Sequence, residues 1–228
     1  MTPPRVAPRA RALIGGGLAA GALAYAARGE LLAALLPAIG WLVDALLPDG
    51  VGRTALAFAH VQGQEAFALD VALTRPLEAG GALVPAGVAL HATTLAAYAL
   101  QDVVVVYAVS SAWPAERARE RAMMLMLGLP AAAIAILLDI PFVLAGLLHD
   151  LLIEAGAAST ASPVLAVCYE FLHRGGRAGI SIAIAVAVCL PFTARGAQLA
   201  AHEARPRRAG LEGGGRQVGA AQHPPAFE

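Results

Sequence analysis

Three charged residues stand in stretches apolar enough to enter a lipid bilayer. Asp102 follows Gln101 and precedes four valines in LQDVVVVYAVSSAWP, Asp139 lies in LLDIPF, and Arg177 closes YEFLHRGGR. A carboxylate in hydrocarbon costs about 2.5–3.5 kcal/mol on insertion scales, so an intramembrane acid implies a compensating partner. Arg177 is the natural counter-ion, because a guanidinium keeps its charge and can grip a carboxylate with two bonds. The expectation is an ion pair between Asp102 and Arg177, or between Asp102 and a basic group on a partner's helix. Helical rise puts Asp102 about 18 Å above Pro114 and Asp139 about 27 Å above Arg121, so Asp139 is expected nearer the outer interface. His91, His149, Asp150, Glu170, His173 and Arg174 would share that outer rim as snorkelling interfacial groups.

Other chemistries find less support. Cys168 has His173, Arg174 and Arg177 close in sequence, but PVLAVCYEFL has no nucleophile motif, and a lone cysteine is more often a small buried hydrophobe than a reactive thiol. If Cys168 and Cys189 share a helix they stand about 31 Å apart, which excludes a disulfide. The chain carries no Gly-rich phosphate loop with Lys, no His-Glu-x-x-His, no Cys-x-x-Cys and no Gly-x-Ser-x-Gly. No catalytic residue, metal ligand or cofactor is assigned, and nucleic acid is not an expected partner. A small intramembrane hydrolase using Asp102, Asp139 or the His rim, and a transporter subunit, remain as alternatives. The first lacks an ordered nucleophile and base, the second lacks internal repeats or matched broken helices.

The elements that must position these groups are membrane helices. Of 228 residues 58% are hydrophobic and 14% charged, with a mean hydropathy of +0.67, far from the usage of soluble domains. All sixteen basic residues are Arg, a bias that suggests a GC-rich bacterial genome. Four segments read as spans of the length that a ~30 Å hydrocarbon core requires: 12–27, which can run on toward Leu47, then 91–113, 122–144 and 175–194. Arg5, Arg9 and Arg11 precede the first; Arg117, Arg119 and Arg121 separate the second and third; Arg195, Arg205, Arg207, Arg208 and Arg216 follow the fourth. The positive-inside rule then puts both termini in the cytoplasm of a bacterial inner membrane. The first segment also has the parts of a cleaved signal peptide, with a small-residue site at Ala24-Tyr25-Ala26. The Gly17-x-x-x-Gly21 spacing in it would let another helix approach closely, although such spacing arises easily in a sequence so rich in Ala and Gly.

The fold class expected is mainly α: a four-helix transmembrane protein with a small extracytoplasmic β-hairpin region between spans 1 and 2. Residues 1–50 hold the N-terminus, the first span and a helix over 30–49, where Leu32, Leu35, Leu36, Ile39, Leu42, Val43 and Leu46 recur at helical spacing. That helix reads as interfacial, or as a kinked extension of the first span. In residues 51–90 the larger side chains alternate, Leu56 and Phe58 before a turn at Gly63 and Phe67, Leu69, Val71 and Leu73 after it, which is the period of a half-buried hairpin. Further turn signals stand at Gly80-Gly81 and VPAG. Residues 91–198 hold spans 2–4 around the Arg-rich loop, and 199–228 read as a disordered cytoplasmic tail.

This order, with RPLEAGGALVPAG running into a span that ends AWP, then DIPF and YEFLHRGGR, resembles the small four-span membrane proteins associated with exosortases, the exosortase H-associated group in particular. The resemblance implies a non-enzymatic accessory beside a membrane sorting enzyme that handles proteins with a short C-terminal signal. Its implied partners are membrane lipid and an integral membrane protein, either that enzyme or its substrate. It supplies no catalytic residue.

Overall fold

The computed structural model describes residues 6–61, 63–79, 82–115, 117–155 and 162–193. The chain divides into two compact units, Met1–Cys189 and Leu190–Glu228, and the site and the core described below lie in the first. The turn expected at Gly80-Gly81 and the tail 199–228 fall outside the described residues.

The protein is mainly helical with a small antiparallel sheet. Helix α1 (Val6–Ala26) passes through a single residue, Ala27, into α2 (Arg28–Leu46). Strands β1 (Val51–Val61) and β2 (Gln64–Leu73) follow, then a short ribbon of β3 (Leu77–Ala79) and β4 (Ala82–Val84), and β5 (Ala89–Leu95). From β5 the chain enters α3 (Ala96–Ala112), then α4 (Ala118–Glu154) and α5 (Pro163–Phe171). A π-helical turn, Leu172–Gly176, leads into α6 (177–193). Three helical stretches are long and apolar enough to cross a membrane: Arg28–Leu46, Ala118–Glu154 and Pro163–Thr193. Ile14–Ala26 and Ala96–Ala112 are apolar but shorter.

The sheet order is β1-β2-β5, all antiparallel. β1 and β2 turn at Gly63, whose φ of 80° suits glycine. Phe67, Leu69 and Val71 are completely buried, and Leu56 and Phe58 opposite them are half-buried, with the Phe58 and Phe67 rings packed edge to face. The alternation expected to leave Ala66 and Ala68 exposed does not hold: they are 1% and 8% exposed. The reason is β5, a third strand missed in a segment assigned to span 2. It makes β2 a central strand, and the small alanines of β2 are covered from both sides by their neighbours. Helix begins at Ala96 rather than His91, because Thr93 and Thr94 pair with Ala68 and Phe67, a role that suits β-branched residues.

α2 lies along the hairpin. Arg28 at its start pairs with Glu65 at the head of β2, and Asp44 near its end takes both arms of Arg53 in β1 at 2.7 and 2.8 Å. Sixteen helical steps span about 24 Å, close to the roughly 23 Å of the seven strand steps from Arg53 to His60, which pairs with Glu65, so the two clamps fit helix to strand. Leu32, Ile39 and Val43 of the expected apolar stripe are fully buried. They join the inner face of the sheet and Leu144, Leu148 and Leu152 of α4 in one core. Gly40 leaves room for the Arg53 guanidinium, which would stand 2.6 Å from a Cβ there.

α4 has 37 residues, about 55 Å of helix. It outruns the expected 122–144 at both ends, so its C-terminal part is free to carry α2, the sheet and α5. α1 packs against α3: a Cβ on Gly16 would stand 2.2 Å from Ser111 Oγ, and Cβ atoms on Gly17 and Gly21 would meet Ala108 and Val104 at 3.2 and 3.1 Å. The glycine spacing therefore works as a helix-packing stripe. α1 and α3 run antiparallel, since Gly16 meets Ser111 while Gly21 meets Val104.

Candidate functional site

α3 and α6 are matched in register, and this builds the site. The Arg177 guanidinium lies over the Tyr98 ring at 4.1 Å, Ser181 Oγ donates to Asp102 Oδ1 at 2.7 Å, and Cys189 Sγ approaches Ser110 Oγ at 3.8 Å. Each pair is 79 residues apart in sequence. The helices thus run parallel, touching through every fourth or eighth residue of both, the ridge that i,i+4 positions form. Between the polar contacts lie Val106 and Ala185, both fully buried.

Asp139 of α4 completes the cluster. Arg177 Nε stands 3.1 Å from Asp139 Oδ1, an ion pair by distance, although the N–H is not aligned on the oxygen and neither atom has a hydrogen-bond partner. Asp102 and Asp139 are each 1% exposed, Ser181 is fully buried and Arg177 is 9% exposed. Both oxygens of Asp139, Oδ2 of Asp102, and Nε and Nη1 of Arg177 are buried without a hydrogen bond among the described residues. Two carboxylates face one guanidinium, so the cluster carries one uncompensated negative charge when all three are ionised. Ser181 Oγ also lies 3.1 Å from the Arg177 carbonyl one turn earlier.

The cluster corrects the expected pairing. Arg177 takes Asp139, and Asp102 is held by a hydroxyl. The expected order of depth holds: Asp139 meets Arg177, which stands level with Tyr98, one turn nearer the sheet than the Asp102–Ser181 contact. The expected depths take Pro114 and Arg121 as level, and the packing of α3 on α4 agrees. Gly128 of α4 faces the Tyr107 ring of α3, and these stand equally far from Arg121 and Pro114, so Asp139 lies about 9 Å nearer the sheet than Asp102. Burial of Asp102 also removes the idea that a partner docks on it directly. Gln101 beside it is exposed, so the Gln101-Asp102 pair is one residue turned outward and one inward.

The rim residues do not gather. His91 is exposed on the sheet, its Nδ1 2.6 Å from Asp70 Oδ1. His149 is buried on α4 beside a cavity of about 500 Å³ between α4, α5 and the end of α2, with Asp150 half-buried next to it. Glu170 and Arg174 form an exposed i,i+4 ion pair on α5 and the π turn. His173 stacks on Tyr169 and, with Tyr98, Gln101 and Arg177, lines a small cavity of about 200 Å³. Cys168 is half-buried and Cys189 buried, both free thiols.

Ser181 and Tyr98 were missed, yet their signal is in the sequence. Ser181 lies four residues after Arg177 and Tyr98 four before Asp102, so each shares a helix face with a charge already singled out. The expected start of the last span at Gly175 falls inside the π turn, with Gly175 at φ 104° and Arg174 off helical geometry.

The arrangement can lock three helices around a charge, or hold a proton, a water or a polar group between them. Among the described residues no three His, Cys, Asp or Glu side chains are placed to hold a metal ion. The class defined by fold and site is a mainly helical protein with three helices long and apolar enough to cross a membrane, a small sheet and a buried carboxylate–guanidinium cluster. The chain matches no protein-family model, and no curated protein or solved structure is significantly similar to it.

Proposed function

We propose that this chain is a non-enzymatic integral membrane accessory that holds a three-stranded platform at the outer face of a bacterial inner membrane for an exosortase-type sorting enzyme or its substrate. The observation that carries this reading is the sheet with its flanking helix. An open sheet edge leaves backbone groups unpaired, which hydrocarbon does not tolerate, so the sheet and the α2 helix clamped along it belong outside the bilayer. Four crossings then remain, by α1, α3, the first part of α4 and α6, and the arginines of the 117–121 loop and of both termini face the cytoplasm. The Asp102–Asp139–Arg177 cluster lies in the outer half of that bundle and fixes α3, α4 and α6 under the platform. α1 packed on α3 favours its retention over cleavage as a signal peptide.

The eleven-residue β1 is an edge strand, and among the described residues no strand pairs with its outer side. It offers a surface for strand addition by an extended segment of the partner. Ala55 and Ala57 on its exposed face keep that approach open. The experiment is co-purification of the tagged full chain with the exosortase from one membrane, beside the Ala57→Arg variant. Co-purification that the variant loses while keeping its folded level supports the reading. Absence of the enzyme from the wild-type eluate, with sorting unchanged in a deletion strain, overturns it.

A further inference from the structure

A second site lies away from the buried cluster, where α1 meets α2, α3 starts and the hairpin turns. It is a cleft of about 810 Å³, within the range of small-molecule and cofactor sites. Its apolar lining is Gly21 of α1 and Ala97, Leu100 and Val104 of α3. At Gly21 the two helices touch, with Val104 3.1 Å from where a Cβ would be, and this contact bounds the cleft. Its polar lining is Arg28, Glu65 and His60 where α2 meets the hairpin, with Gln101 beside Leu100 on α3. Leu18 and Leu23 of α1 are 70% and 72% exposed, a surface suited to lipid chains.

The polar lining carries both signs. Arg28 and Glu65 form an ion pair, Arg28 Nη1 donates to the Tyr25 carbonyl at 2.8 Å, and its guanidinium lies over the Tyr25 ring at 4.2 Å. The His60 side chain is largely exposed and stands 3.7 Å from Glu65. Side-chain exposure of 29% for Arg28 and 22% for Glu65 leaves both within reach of a ligand. With His60 neutral the lining has no net charge, so it does not select an anion, while its two charges match the two of a zwitterion. An ammonium that can donate hydrogen bonds suits the Glu65 carboxylate, and a phosphate suits Arg28.

We infer that this cleft binds one zwitterionic phospholipid with a primary ammonium headgroup, its head between Glu65 and Arg28 and one acyl chain along the α1–α3 groove. This rests on the chain residing in a membrane and is independent of any sorting partner. The test uses the purified full chain in nanodiscs of equimolar phosphatidylethanolamine and phosphatidylglycerol with identical acyl chains, transferred to mild detergent for native mass spectrometry. One phosphatidylethanolamine per chain is expected to be retained. Ala97→Trp, at an exposed position in the cleft wall, should cut that retention about tenfold with its melting temperature unchanged. Glu65→Gln should lower the preference over phosphatidylglycerol by about tenfold, the weight of one charged hydrogen bond. Should Ala97→Trp not fold, the Glu65→Gln ratio decides. No retained lipid, a preference for phosphatidylglycerol, or an unaltered ratio in Glu65→Gln overturns the inference, as does unaltered retention in a folded Ala97→Trp.

Discussion

Removing Arg177 leaves two buried carboxylates without a counter-charge, removing Asp139 leaves Arg177 without its ion-pair partner, and breaking a buried pair costs about 3–5 kcal/mol. Asp139→Asn and Arg177→Gln should each lower the folded fraction in detergent melts by that order, and the double variant should recover much of it, because neutral amides still bond to one another within a membrane. Additive losses would sink the pairing. Asp102→Asn should cost less, about 1–3 kcal/mol, since it trades a hydroxyl–carboxylate bond for a hydroxyl–amide one. Ser181→Ala combined with Asp102→Asn should be no worse than the larger single change. The three charges were legible from their cost in an apolar setting; their pairing was not, because it depends on the register of α6 against α3, which sets Arg177 level with Tyr98 rather than with Asp102. Ser181 and Tyr98 were readable by i,i+4 spacing but carry no charge to draw attention.

At the scale of elements, the α1–α3 contact should tolerate no bulk. Gly17→Leu is expected to destabilise by roughly 1–3 kcal/mol through overpacking, whereas the same change at Gly15, where a Cβ meets nothing within 4 Å, should be nearly silent in the melt. The central strand makes a second case: aspartate at Ala66 or Ala68 should lower folded protein as aspartate at Phe67 or Leu69 does, because all four are buried. Alternation alone would have spared the alanines. It identified the hairpin and its inner face but could not reveal β5, whose ALHATTL runs without a break into an apolar helix and reads as part of it. The Arg28–Glu65 clamp responds to acid. Its hydrogen bond holds the Glu65 carboxyl below the ordinary 4.5, so the folded state binds this proton less readily than the unfolded chain. The clamp's contribution is complete above the unfolded value and is lost as pH falls through the folded one. Melts between pH 6 and pH 3 should lose less stability in Glu65→Gln than in wild type; parallel curves would remove the clamp from the account.

For the whole molecule, hydropathy and the arginine distribution indicated a helical membrane protein, and the described fold keeps that class. The number of crossings is harder to read, because α2 is as apolar as a span and only its two clamps to the sheet set it apart. Composition cannot separate a helix that meets lipid on all sides from one that lies along a strand. The central claim is that the sheet stands outside the bilayer above a bundle whose Arg-rich loop is cytoplasmic. Topology reporters inserted at Gly63, at Arg119 and after Arg208 test it directly. The account predicts an external signal at Gly63 with cytoplasmic signals at the other two, and a cytoplasmic signal at Gly63, or an external one at Arg119, would contradict it.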